Sequence, residues 1–175
     1  MRKLLIVVDY QNDFVSGSLG FPGAERLADG IVAKIRAYKT QGDDVAFTFD
    51  THDKAYATTQ EGRNLPVLHC ERGSWGWQLF GPVAGECDDT TPQFEKGAFG
   101  SLALANWLEG KQYDAVELVG LVSNICVVSN AILAKAALPE AVVTVDAACT
   151  ASHDAALHVK TLDVLEGLQI QVINR

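Results

Sequence analysis

The chain has 175 residues and a mass of 18.8 kDa, with 48% hydrophobic and 21% charged residues. This is the length and balance of one soluble domain, which excludes a disordered or fibrous chain, and no apolar run reaches the ~18 residues of a membrane span. Lys and Arg number 14 against 22 Asp and Glu, a formal charge of −8 with no basic cluster, so neither nucleic acid nor an anionic membrane is an expected partner.

In chain order, residues 4–8 form a continuous apolar, β-branched run, the pattern of a strand buried on both faces of a parallel sheet. Its basic start resembles the head of a leader, but Asp9 interrupts the run and no small-residue cleavage site follows, so it reads as strand. Residues 24–41 place Leu27, Ile31, Ile35 and Tyr38 on one helical stripe that Gly42 can stop. Further strands are expected at 45–49, 116–121, 141–145 and 170–173, with helices at about 102–109, 125–137 and 152–168. In the last helix Ser152 is the expected N-cap, Asp154 falls in the first turn, and Ala155, Val159, Leu162 and Leu165 share a face. Alternation of this kind predicts a three-layer α/β/α fold around a mostly parallel sheet, with residues 1–175 as one domain. Residues 50–100, rich in Gly, Pro, Thr, His and Trp, carry no sustained period, and a stretch of that length is usually functional.

Ligands of open α/β sheets bind beyond the carboxyl ends of the strands. Asp9 ends the first strand, Asp50 and His52 end the second, and Cys126 follows the third, in GLVSNICVVSN. A thiol in the first turn of a helix meets the positive end of the macrodipole and free N–H groups, which favour thiolate and can receive an oxyanion. If Lys96 of FEKGAFG joins them, Asp9 can take the thiol proton while the ammonium balances charge. Asp50 and His52, two residues apart on an extended strand end, face one way. With His69 and Glu61 they form an N/O set suited to a divalent transition metal, Zn, Fe or Mn. His153 and His158 fall on the last expected helix and read as structural or surface residues. Cys70, Cys87, Cys126 and Cys149 include no CxxC pair and suit free thiols of a reducing cytoplasm.

Together VVDYQNDF, FDTHD, LPVLHC with the following Gly73-Ser74-Trp75-Gly76, FEKGAFG and GLVSNICV resemble the isochorismatase-like cysteine hydrolase family, over residues 3–151. The metal-type residues are most similar to its nicotinamidase branch. The resemblance implies a catalytic triad of Asp9, Lys96 and Cys126, a metal on Asp50, His52 and His69, and Glu61 as a further ligand in some members. It also implies a cis peptide at Val122-Ser123, aiming the N–H groups of Ser123 and Cys126 at the oxyanion. Phe14 matches a pocket aromatic, and Leu19 and Trp75 are further candidates to contact substrate. Leu65 stands where many nicotinamidases carry a Trp, a departure for which Trp75 or Trp77 could compensate. The implied activity is deamination of a small carboxamide such as nicotinamide, through a thioester, as in cytoplasmic NAD salvage. The alternatives are an isochorismatase-type or ureido/carbamoyl hydrolase, or a non-catalytic member of the fold. Oligomeric state is left open, with a homo-oligomer among the outcomes.

Overall fold

The structure is a computed structural model that describes residues 1–175. Its elements in chain order are β1 (Lys3–Val8), the single turn α1 (Asn12–Val15), α2 (Ala28–Gln41), β2 (Asp44–Asp50), the short α3 (Gln60–Asn64) and β3 (Gln93–Lys96). They continue with α4 (Leu102–Leu108), β4 (Ala115–Leu121), α5 (Val128–Ala137), β5 (Val142–Ala151), α6 (Ala155–Gly167) and β6 (Gln171–Ile173). All strand pairs are parallel, and the six strands run β3-β2-β1-β4-β5-β6.

β1 lies in the middle and has no solvent face, which is why its sequence is apolar without alternation. Leu4, Ile6 and Val8 enter a core with Leu104 and Leu108 of α4, Ala131 and Ala134 of α5, and Leu162 and Leu165 of α6. Leu5 and Val7 point the other way, into a second core with Ile31 and Ile35 of α2 and with Tyr10, Phe14 and Val83. The two cores make the three-layer α/β/α arrangement. Each fully buried Leu, Ile or Val contributes about 1.5–3 kcal/mol relative to exposure, so a charge anywhere inside β1 would cost more than most single contacts restore.

Several boundaries differ from those read in the sequence. β3 lies inside the segment expected to be irregular: QFEK has no apolar run because it is a short edge strand, with only Lys96 buried. β5 continues to Ala151, past a register shift against β4 between Leu118 and Gly120. α2 begins at Ala28, after a separate 3-10 turn at Ala24–Leu27, and ends at Gly42 with φ 76. α5 begins at Val128 rather than at 125, because Ser123–Val127 forms one π-type turn ahead of it. α6 begins at Ala155. Its cap is Asp154, which accepts the Leu157 N–H at 2.9 Å, while Ser152 instead accepts the Asp154 N–H at 3.0 Å. Val159 is exposed, and Leu162 and Leu165 carry the packing.

β1 and β4 are neighbours whose following segments leave to opposite faces, so their carboxyl ends open a crevice. The closeness of the two strands depends on Gly120, whose φ is 110 and where a Cβ would stand 2.0 Å from the Val8 carbonyl oxygen. Any side chain there would push β4 off β1 at the base of the crevice.

Candidate active site

Asp9, at the end of β1, is fully buried and has φ 44, a left-handed conformation uncommon outside glycine. Lys96, the last residue of β3, reaches inward until its Nζ is 2.6 Å from Asp9 Oδ2, 3.4 Å from Asp50 Oδ1 and 3.5 Å from Cys126 Sγ. The Thr48 hydroxyl donates to Asp9 Oδ1 at 2.6 Å. Three residues far apart in sequence therefore meet at the carboxyl ends of β1, β3 and β4; the sequence placed Asp9 and Cys126 at such ends, whereas the strand that carries Lys96 was not expected.

Burial dominates the protonation of this group. It pushes Asp9 above the usual carboxylate range, against the pull of Lys96 and with the help of the Asp50 charge. It also holds the Cys126 thiol well above its ordinary value, reinforced by Asp9. The sequence-based expectation that the helix start would favour thiolate is thus corrected: Cys126 lies in the π-type turn Ser123–Val127 that leads into α5, and burial of the sulfur beside a carboxylate disfavours its charged form. For Lys96 burial acts against charge, but Asp9, Cys126 and Asp50 outweigh it and the ammonium is held charged.

Asp50 lies on the other side of Lys96. Its Oδ2 is 3.1 Å from the Nε2 atoms of both His52 and His69, and Glu61 Oε1 is 3.8 Å from each. Asp50, His52 and His69 are buried, with ligand atoms all within 4.8 Å of one another. His69 Nδ1 is 2.8 Å from the Val67 carbonyl, which can only accept, so Nδ1 carries the hydrogen and Nε2 presents a lone pair to the carboxylate. Two acceptor atoms at 3.1 Å need a cation between them, either a second imidazole proton or a metal. Ligand atoms around a tetrahedral zinc stand about 3.3 Å apart, so two imidazoles and one carboxylate at this separation fit such an ion, with Glu61 within reach of the same place. Burial raises the Asp50 carboxyl, but with a proton on the facing Nε2 atoms hydrogen bonds from His52 and His69, and the charge of Lys96, more than reverse this and hold it ionised.

Gln11 ties the two halves together. Fully buried, it donates through Nε2 to the carbonyls of Asp50 at 2.9 Å and Trp77 at 2.8 Å, and accepts the Asp50 N–H at 2.8 Å. Asp13 accepts the N–H of Cys70, the neighbour of His69, at 2.7 Å.

Cys126, Asp50, His69 and Glu61 open into one cavity of about 450 Å³, walled by Phe14, Leu19, Val122 and Ile125. Phe14 meets the His69 ring edge-on at 5.6 Å. Trp75, expected to contact substrate, is 59% exposed and lies outside this wall, a correction. Trp77 is also absent from it, packing on Phe49 and donating from Nε1 to Thr51 Oγ1 at 2.9 Å. Leu65 does line the cavity. The cis peptide is Leu121-Val122, one residue earlier than Val122-Ser123. The Val122 carbonyl accepts the N–H groups of Ile125 and Val127, each at 3.1 Å, and so closes the turn that carries Cys126. Ser123 is buried, with its hydroxyl 2.9 Å from His158 Nδ1. Phe21, Phe99 and His153 also line the cavity. Sequence reading missed them, although aromatic residues beside Pro22 and Gly100 in loops after strands were an available signal. His153 precedes α6 rather than lying on it, a further correction. The four cysteines are free thiols, and no helix is long and apolar enough to cross a membrane.

A buried thiol, a carboxylate able to take its proton and an ammonium between them equip the crevice for nucleophilic attack on a carbonyl carbon, the chemistry of a cysteine hydrolase. The chain belongs to the isochorismatase family: the family model described as an Isochorismatase domain matches residues 3–175. Among its relatives is the isochorismatase family protein PncA of Bacillus subtilis, 31% identical over 144 residues, 75% of this chain and 78% of that protein. The nicotinamidase of Saccharomyces cerevisiae is 27% identical over 216 residues, 99% of this chain and 100% of that protein. A crystal structure of a nicotinamidase/pyrazinamidase from Bacillus subtilis superposes with a TM-score of 0.86 at 29% identity, covering 98% of this chain and 99% of that one.

Proposed function

We propose that the protein is a metal-assisted cysteine amidohydrolase that releases ammonia from a small carboxamide such as nicotinamide, a step of NAD salvage in the cytoplasm. The observation that carries this reading is the position of Lys96 Nζ, at once 2.6 Å from Asp9 and 3.5 Å from Cys126. Similarity to a nicotinamidase along nearly the whole chain supports the amide C–N bond as the one cleaved.

Asp9 takes the Cys126 proton as sulfur attacks the carboxamide carbon. The S–C bond forms, and the oxyanion is received by main-chain N–H groups of Ser123 and Cys126. Asp9 then gives its proton to the leaving nitrogen, the C–N bond breaks, and ammonia departs from a thioester on Cys126. Water adds to the thioester carbon with Asp9 as base, the C–S bond breaks and the proton returns to sulfur, leaving the acid. Lys96 stays charged throughout and limits the cost of negative charge on its two partners. Asp50, His52 and His69, with Glu61, would hold zinc or a similar divalent ion, which when bound supplies a Lewis acid that can orient a polar substrate atom. Phe14 and Leu19 would contact the substrate ring.

Ammonia release from nicotinamide, followed with zinc-loaded protein, tests the reading. Turnover is expected for the native chain and a loss of at least ~10⁴-fold for Cys126→Ala. Comparable turnover by that variant, or none by the native chain, would overturn it.

A further inference from the structure

The turn Ser123–Val127 that carries Cys126 is tied by side chains on both of its sides. After the nucleophile the ties come from α5: the Ser129 hydroxyl donates to the Ile125 carbonyl at 2.6 Å, and Asn130 Nδ2 donates to the Cys126 carbonyl at 2.8 Å. Before the nucleophile the tie comes from another helix. The Ser123 hydroxyl, on a residue 1% exposed, lies 2.9 Å from Nδ1 of His158 in α6. His158 precedes Leu162 by four residues and Leu165 by seven, so it stands on the stripe of α6 that packs into the first core. A polar ring in that position needs a partner, and the start of the turn supplies it.

The direction of the bond follows from the state of the ring. Burial, and after it the charge of Arg175, hold His158 below the usual imidazole range, which favours the neutral form. With its hydrogen on Nε2, the neutral ring presents an Nδ1 lone pair to which the Ser123 hydroxyl donates. A ring protonated on both nitrogens would force that hydroxyl to accept, and its buried hydrogen would lose this acceptor.

We propose that His158 is a positioning residue for the nucleophile: by accepting the Ser123 hydroxyl it anchors the start of the turn to α6, and so aims the Cys126 sulfur and the Ser123 N–H at the substrate. The inference takes its assay from the amidase reading above. The anchored residue lies three positions before Cys126, and without the bond the side-chain ties of the turn come from α5 alone. The sulfur is then free to rotate away from Asp9 and Lys96. Contacts of the substrate ring with Phe14 and Leu19 do not depend on that rotation, so the loss falls on kcat rather than on KM.

The test follows ammonia release from nicotinamide by the zinc-loaded native chain and by His158→Ala, Ser123→Ala, the double variant and His158→Asn. Asn can place Oδ1 where His158 has Nδ1 and accept the same hydroxyl. In each alanine variant kcat is expected to fall about 10–100-fold with KM within about twofold of native. The double variant should fall no further than the worse single one, and His158→Asn should recover most of the loss. A loss carried by KM, additive effects of the two alanine changes, or no recovery with Asn would overturn the proposal. Ser123→Ala removes a single oxygen and keeps the test open should His158→Ala not fold. Alkylation of Cys126 by iodoacetamide, read at each cysteine by mass spectrometry, gives a measure free of the amide substrate. It needs the same sulfur aimed at carbon with Asp9 taking the proton, so it should slow in both alanine variants and recover with Asn. Rates equal to native in those variants would overturn the positioning role. A native chain that releases no ammonia would sink the amidase reading, and the alkylation rates would still decide the role of His158.

Discussion

The groups that flank the sulfur and those that wall the cavity are built on different supports. Asp9, Lys96 and Cys126 sit at strand ends or one turn beyond, are buried, and are fixed by the sheet register and the close approach at Gly120. Phe21, Leu65, Phe99 and His153 sit on loops, half-buried or exposed, and carry few polar ties. Reacting groups need positions fixed to a fraction of an ångström, whereas an apolar wall needs only area. The fold supplies rigidity to the first and leaves the second free to vary. Asp50, His52 and His69 lie between these extremes, the first on a strand whose backbone Gln11 holds and the other two on the following segment.

Breaking the rigid side should have the largest effect. Lys96→Met leaves Asp9 and Asp50 buried beside each other without their cation, and urea unfolding should show a loss of about 3–5 kcal/mol at neutral pH. Asp9, already raised by burial, is raised further. Its protonated form is favoured in the folded state, so the loss should grow as pH rises through the folded value and shrink towards pH ~4, where the unfolded carboxylate also holds its proton. A loss independent of pH would contradict the assignment. At the junction of the two supports, Gln11→Ala frees the backbone of Asp50. Zinc affinity, measured by competition with a chromophoric chelator, should weaken about 10–100-fold while the unfolding transition keeps its cooperativity. Unchanged affinity would mean that Asp50 is held by the sheet alone. The smallest effect is expected at Thr48→Val, which removes one hydrogen bond to ionised Asp9. Because Asp9 must be ionised to take the thiol proton, kcat/KM falls at acid pH, and in this variant that limb should move upwards by about one pH unit. A downward shift would show that another group controls it.

The same contrast explains how much could be read from the sequence. The runs around Leu4 to Val8 and Val116 to Leu121 announce themselves because central parallel strands are apolar on both faces, and Asp9 and Cys126 stand out where those runs stop. Asp50 and His52 are legible from spacing on a strand end. β3 was not, since an edge strand of four residues with mainly exposed side chains leaves no period to detect. The turn around Cys126 was placed one residue off at the cis bond, because neither propensity nor pattern encodes that geometry. Trp75 and Trp77 were indistinguishable as letters, and only the folded segment shows one exposed and the other seated on Phe49. The outer wall of the cavity was invisible for a related reason: its residues share no element and meet only when four loops converge.

The place of β3 at the margin of the sheet gives one of the most deeply buried charges in the protein its least secured mooring. β3 is bonded to β2 on one side only, and Lys96 is its final residue. Fraying of so short a margin breaks few ladder bonds, far fewer than the cooperative melting of the middle strands. Detachment of β3 ahead of the middle strands is expected to take the ammonium from Asp9 and Cys126 while both cores stay intact. Gradual addition of urea should silence ammonia release at a concentration below the one at which helical circular dichroism collapses, and coincident midpoints would show the margin to be as firm as the centre.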